Sequence, residues 1–260
     1  LDSSADITGG RNLTISGELD AATGDFSGDV DIDGTLEADA YTLEGSAFIK
    51  VGGTSFANSL LVGHATTGTL SNAEENVGVG ILALDALAGG DQNTAVGYQA
   101  LSVAHSGYRN TGIGWKAARN VSTGYSNVAV GRNSLYDVST GHSNSCLGQN
   151  ALTNVTGNYN IGFGRDAGDN ITSGSGNVVL GVADVSSATG DDQLSISDGE
   201  DGSVVWMTGD SSAKLTFPGA LQVSGEVTVG VDDTGLDVKF FGASAGAYGL
   251  YDQSENAFEV

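Results

Sequence analysis

Bases, cysteine, proline and aromatic residues are all scarce in this chain. Nine Lys and Arg stand against 32 Asp and Glu, for a net charge of −23. That imbalance leaves no basic patch for phosphate, which excludes nucleic acid as a partner and disfavours anionic membrane surfaces. One cysteine, Cys146, excludes an internal disulfide framework. No run of 18 apolar residues is present, so no membrane insertion by a helix is expected. No stretch carries the 3.6-residue period and caps of a long helix. Aromatic residues make up 7%, too few for a thick core, and a single proline stands against 41 glycines. Such a chain turns on glycine. Its apolar residues nevertheless recur in strict phase, which argues against disorder.

What is present is a repeat. A five-residue word occurs seven times: NVGVG, NTAVG, NTGIG, NVAVG, NSCLG, NIGFG and NVVLG, beginning at Asn76, Asn93, Asn110, Asn127, Asn144, Asn160 and Asn177. The spacing is 17 residues except for one step of 16, between Asn144 and Asn160. A fixed short period marks a repeat architecture. With the Asn as position 1, position 4 is always large and apolar: Val79, Val96, Ile113, Val130, Leu147, Phe163 and Leu180. Position 3 is small except at Val179, and position 5 is always Gly. A large side chain beside a small one suggests a short strand whose two faces differ. Position 9 (Leu84, Leu101, Ala118, Leu135, Leu152) and position 12 (Leu87, Ala104, Val121, Val138, Val155, Ile171) add a second apolar pair. A glycine turn follows, and the 16-residue copy loses its residue there. The expected fold is all-β, a β-solenoid or β-roll with 17-residue coils. Seven coils at about 4.8 Å give roughly 34 Å of rod. Positions 4, 9 and 12 are assigned to the core, and position 3 to close approach between chains. Val130→Asp should then disrupt assembly and Arg132→Ala should not. A core this thin favours self-association as a homotrimer, with a self-sufficient monomer as the alternative.

The charge is uneven. Between Asn76 and Gly181 five acids (Asp85, Asp91, Asp137, Asp166, Asp169) meet five bases (Arg109, Lys116, Arg119, Arg132, Arg165), leaving 27 of the 32 acids and four of the nine bases in the flanks. Acidic ends repel in an oligomer unless salt or divalent cations screen them. The chain divides into acidic short strands over 1–58, the repeat over 59–182, acidic strands and turns over 183–230, and a terminal β segment over 231–260. Leu61-Val62-Gly63 lies 17 residues before the first certain word, in phase for an earlier start of the repeat.

Several motifs reduce to the repeat or to chance. Asp29-Val30-Asp31-Ile32-Asp33-Gly34 begins like a calcium loop but has Ala40 where the motif needs Glu. Three G-x-G-x-x-A matches (Gly78 to Ala83, Gly112 to Ala117, Gly162 to Ala167) share one repeat phase and adjoin no helix. Gly242 to Gly246 matches a hydrolase elbow, yet the last histidine, His142, precedes it. His64, His105 and His142 lack metal-ligand spacing. His142 shares its phase with Tyr108 and Tyr125, which suggests a surface ladder. The repeat Asn residues suit a ladder of side-chain amides or left-handed corners. Tyr98, Trp115, Tyr108 and Tyr125 are candidate glycan or receptor contacts, because flat rings cover the apolar faces of sugars. No catalytic, cofactor-binding or metal-ligand residue is assigned. The acidic flanks, with Asp191, Asp192, Asp198 and Asp201, are places for loosely bound divalent cations.

NTAVGYQAL, NTGIGWKAA, NVAVGRNSL and NSCLGQNAL resemble the repeats of bacteriophage tail-fibre and related virion fibre proteins, most of all those of marine phages, cyanophages included. The segments from Asp191 to Phe217 and from Val231 to Val260 are similar to those that follow such repeats. The resemblance implies a trimeric fibre of intertwined β-structure on an extracellular virion. It also implies other virion proteins as partners and host attachment through a cell-surface glycan or protein. A weaker likeness is to heads of trimeric autotransporter adhesins, whose usual shorter period, coiled-coil stalk and membrane anchor are not seen here. The function expected is therefore a non-enzymatic structural fibre. The alternatives are a virion decoration or connector protein without a receptor role, and an adhesin head that binds surface glycans. An enzyme of β-helix type would require a carboxylate pair in a groove.

Overall fold

A computed structural model describes residues 57–63, 72–104 and 106–224, together with the backbone of five further strands. The calcium-like loop at Asp29, the segment from Gly242 to Gly246, and both His64 and His105 lie outside the described residues. All described elements are β. The strands are β1 (Tyr41–Leu43), β2 (Ser46–Val51), β3 (Leu60–Val62), β4 (Val77–Val79), β5 (Thr94–Val96), β6 (Thr111–Ile113), β7 (Val128–Val130), β8 (Ser145–Leu147), β9 (Ile161–Phe163), β10 (Val178–Leu180), β11 (Leu194–Ser197), β12 (Val205–Gly209), β13 (Leu215–Thr216), β14 (Val238–Phe241), β15 (Tyr248–Asp252) and β16 (Ala257–Glu259). The first thirteen form one sheet in chain order, and β14 to β16 form a second.

From β3 to β11 every neighbour is parallel and in register, as in Ala95↔Gly112 and Ala129↔Cys146. The chain is a β-solenoid: each strand is one side of a coil, and the next coil stacks on it. The parallel stack continues past the last Asn word to β11 and reaches back to β3, the phase position of Leu61. At either end the sheet turns antiparallel, through β2 and β1 on one side and β12 and β13 on the other.

The word explains the strand length. The Asn turns inward at one corner, three residues extend, and the Gly at position 5 turns away with φ between 128° and 149° from Gly80 to Gly164. A Cβ on Gly131 would lie 2.4 Å from the carbonyl oxygen of Gly148 in the next coil, so this corner admits no side chain. Further corners fall on left-handed non-glycine residues, for example Lys116 (φ 56°), Ala118 (φ 48°) and Arg109 (φ 56°). Each costs on the order of 1 kcal/mol. Coil-to-coil hydrogen bonds offset that cost: the Lys116 amide donates to the Tyr98 carbonyl at 2.8 Å and the Arg109 amide to that of Asp91 at 2.9 Å. The left-handed residue at the Asn corner is the one before the Asn, so the repeat Asn itself is not a left-handed corner.

Positions 9 and 12 are in the core as expected: Leu84, Leu101, Leu135, Leu152, Val121, Val138, Val155 and Ile171 are fully buried. The expectation for the strand is reversed. Position 3 points inward, with Ala95, Ala129, Cys146 and Val179 buried. Position 4 points outward: Val79, Val96, Ile113, Leu147 and Phe163 are exposed, and Val130 and Leu180 are half-buried on the same face. These seven residues are therefore not the core of the coil. The reason is space. A Cβ on Gly162 would sit 2.8 Å from Cγ of Leu152 and 3.0 Å from the Ala167 carbonyl oxygen, and one on Gly112 would sit 2.9 Å from the Ala117 carbonyl oxygen and 3.2 Å from Cγ of Leu101. The position-9 leucine of one coil fills the room that a position-3 side chain of the next would need. A coil this narrow takes one large side chain per rung on that side, and position 9 supplies it.

Candidate interaction surfaces

The repeat Asn residues form a continuous internal ladder. All seven are fully buried. Asn127 is representative. Its amide N–H and its Nδ2 both donate to Oδ1 of Asn110, at 3.0 and 3.1 Å. Nδ2 also donates to the carbonyl of Gly141 at 2.9 Å. Its own Oδ1 accepts from the backbone N–H and Nδ2 of Asn144, at 3.0 and 3.2 Å. The pattern crosses the 16-residue step unchanged, since Asn160 donates to Asn144 Oδ1 at 3.0 and 3.1 Å. Ser59 begins the ladder by accepting the Asn76 amide through Oγ at 2.8 Å. Gln193 ends it, donating to Asn177 Oδ1 from both its amide and Nε2. Ser59 and Gln193 lie outside the five-residue word, and only their phase could have marked them.

On the surface, stacking of coils lines up equal positions. Tyr108 and Tyr125 are parallel at 4.9 Å, and His142 continues the stack at 4.5 Å from Tyr125. Tyr159 closes it edge-on at 5.0 Å. The surface ladder expected from phase is thus present. Tyr98 and Trp115 form a second row with ring centroids 6.3 Å apart. Lys116 Nζ stands 4.1 Å from the Trp115 ring centre and the Arg132 guanidinium 5.2 Å from it. The four candidate glycan contacts therefore fall in two separate rows. Tyr125 is stacked on both faces, and Trp115 already faces two cations.

Cys146 is buried within its coil, and withdrawal from water pushes its thiol up to about 12, the wrong direction for a nucleophile. The Asp198 carboxylate organises the β11–β12 loop: it accepts backbone N–H bonds from Val204, Glu200, Asp201 and Gly202 at 2.7 to 3.1 Å. These bonds, that from Val204 first, hold it down at about 2. Asp191 accepts the Ser175 amide at 2.7 Å, and Asp201 that of Ser203 at 2.9 Å. Among the described residues no group of three or more His, Cys, Asp or Glu is arranged to hold a metal ion.

One acid cluster escaped the sequence reading. Asp166, Asp169, Asp184 and Asp201 line a cleft of about 480 Å³ with Val182 and Ala183. Asp169 is pushed up to about 6, first by withdrawal from water, then by the charge of Asp184 and a hydrogen bond to it, then by Asp166. The consequence is a pH effect. The folded state holds this proton above the ordinary 3.8, so the contribution to stability is complete below that value and is lost as the pH rises to about 6. Asp169→Asn is expected to raise the melting temperature at pH 7 and leave it nearly unchanged at pH 4. An equal shift at both pH values would disprove the shared proton.

Taken together, the fold and its ladders define an all-β solenoid repeat protein. Comparison with protein-family models, with curated proteins and with solved structures finds no match.

Proposed function

We propose that this protein is a non-enzymatic structural rod: a homotrimeric fibre segment of a phage virion that presents the particle for host attachment. The observation that carries the reading is the unbroken internal ladder from Ser59 to Gln193. It couples each coil to the next through buried bonds that have no role outside the coil. Successive coils therefore cannot shear or bend without breaking buried polar pairs, each worth about 1–3 kcal/mol if left unmade. A stack of this kind suits mechanical reach, and three chains with repeated coils turn many weak contacts into avidity. The placement on a phage virion is supported by the likeness of the repeat words and of the segments that follow them. Partners in this reading are other virion proteins and a host cell-surface glycan or protein.

The test is the native mass by light scattering, with and without divalent cations, followed by electron microscopy of the purified chain. Rod-shaped particles with three times the chain mass are expected, with cations favouring assembly through the acidic flanks. A stable single-chain mass under both conditions would overturn the trimeric fibre.

A further inference from the structure

The face that points away from the core is the most unusual surface of the solenoid. Repeat positions 2 and 4, the first and last residues of each three-residue strand, stand on it. From β3 to β10 these sixteen positions include no charged residue, in a chain with 41 Asp, Glu, Lys and Arg. Instead they carry Val, Leu, Ile and Phe, with Thr or Ser at three places in the position-2 row. Leu147 is 54% exposed, Phe163 45% and Ile113 40%. The adjoining position-6 row begins with the exposed Ile81, Tyr98 and Trp115 and turns polar at Arg132, Gln149 and Arg165. The backbone on this face is hydrogen-bonded between coils along its length, so nothing can join by adding a strand. Whatever covers the face must do so with side chains.

We infer that this face is where copies of the chain meet, with the position-2 and position-4 rows of one copy packed on the same rows of the next. Three observations select a second copy. A partner must match rows repeating at about 4.8 Å over roughly 34 Å, and this chain's own face has that repeat. The repeat segment has five acids and five bases, so like copies are not driven apart along it as they are at the acidic flanks. The exposed apolar side chains form one contiguous strip along the rod, and long contiguous apolar strips mark interaction sites. The inference rests on the homotrimeric reading and adds the face to it. Three copies about one axis run parallel by symmetry, so each rung meets its own equivalent. Position 3, expected to set the approach of chains, lies inside the coil. The apolar position-4 side chains make the contact.

The experiment compares the full chain with the double variant Ile113→Asp and Leu147→Asp, and with Thr140→Asp, an exposed turn residue off this face. Native mass and the β circular dichroism signal are read together. The double variant is expected to fall threefold in mass with its β signal kept, and Thr140→Asp to retain the parent mass. A single-residue probe guards against misfolding. Ile113→Cys should form an intermolecular disulfide under mild oxidation and Thr140→Cys should not, while the buried Cys146 stays silent. A double variant that keeps both the parent mass and its fold, or an Ile113→Cys chain that does not cross-link, overturns the assigned face while leaving the trimeric rod intact. A parent chain of single-chain mass sinks both.

Discussion

Asn127→Leu lowers the unfolding free energy by about 3–6 kcal/mol, far more than its nearly unchanged volume suggests. The side chain sits mid-ladder with four hydrogen bonds and no access to water. Leucine fits the space but removes the acceptor of the Asn144 amide and of Asn144 Nδ2, and removes the donor to the Gly141 carbonyl. Three buried groups lose their partners at once, each at a cost of about 1–3 kcal/mol. Asn127→Asp should fare no better, because it keeps the acceptors but buries a charge beside Gly141. Asn127→Gln should be milder, since the chain itself uses Gln193 at the last rung. Chemical denaturation of the three variants checks the order. A loss below about 1 kcal/mol for the leucine variant would mean that the ladder does not hold the coils together.

Much of the fold is legible in the sequence, and the part that is not has a definite cause. The 17-residue period fixes the stacking, because equal phase places Tyr108, Tyr125 and His142 over one another whatever the coil shape. Asn in strict phase offers either an amide ladder or a left-handed corner, and the structure takes the ladder. Strand alternation shows that positions 3 and 4 face opposite ways, but not which of them faces in. Hydrophobicity points to the large residue as the inward one, and it misleads here because the coil interior is already filled from position 9. The Asp169–Asp184 pair was not legible either. The two residues lie in successive coils at different phases, and the second falls after the last repeat word.

The signal that orients the strand is a correlation between positions, and Val179 exposes it. Among the seven Asn words Val179 is the one large residue at position 3, and it is fully buried. In the coil beneath it, position 9 is Gly168 where four of the five preceding coils have Leu. A Cβ on Gly168 would lie 3.2 Å from Cγ2 of Val179 and 3.0 Å from Cδ2 of Leu152. Volume has moved from one side of the contact to the other. Elsewhere the pairs run Leu84 with Ala95, Leu101 with Gly112, Leu135 with Cys146 and Leu152 with Gly162, while Ala118 and Ala129 are both small. Gly162→Val alone should therefore cost about 3 kcal/mol, because its Cβ meets Leu152 Cγ at 2.8 Å and the coil cannot widen without breaking the ladder. Leu152→Ala alone should cost about 2–5 kcal/mol as a core cavity. Combined, the two changes reproduce the exchange seen at Gly168 and Val179, and the double variant should be at least about 2 kcal/mol more stable than additivity requires. Unfolding free energies of the four chains complete the cycle. Strict additivity would mean that the two side chains do not share one space, and the inward orientation of position 3 would fail with it.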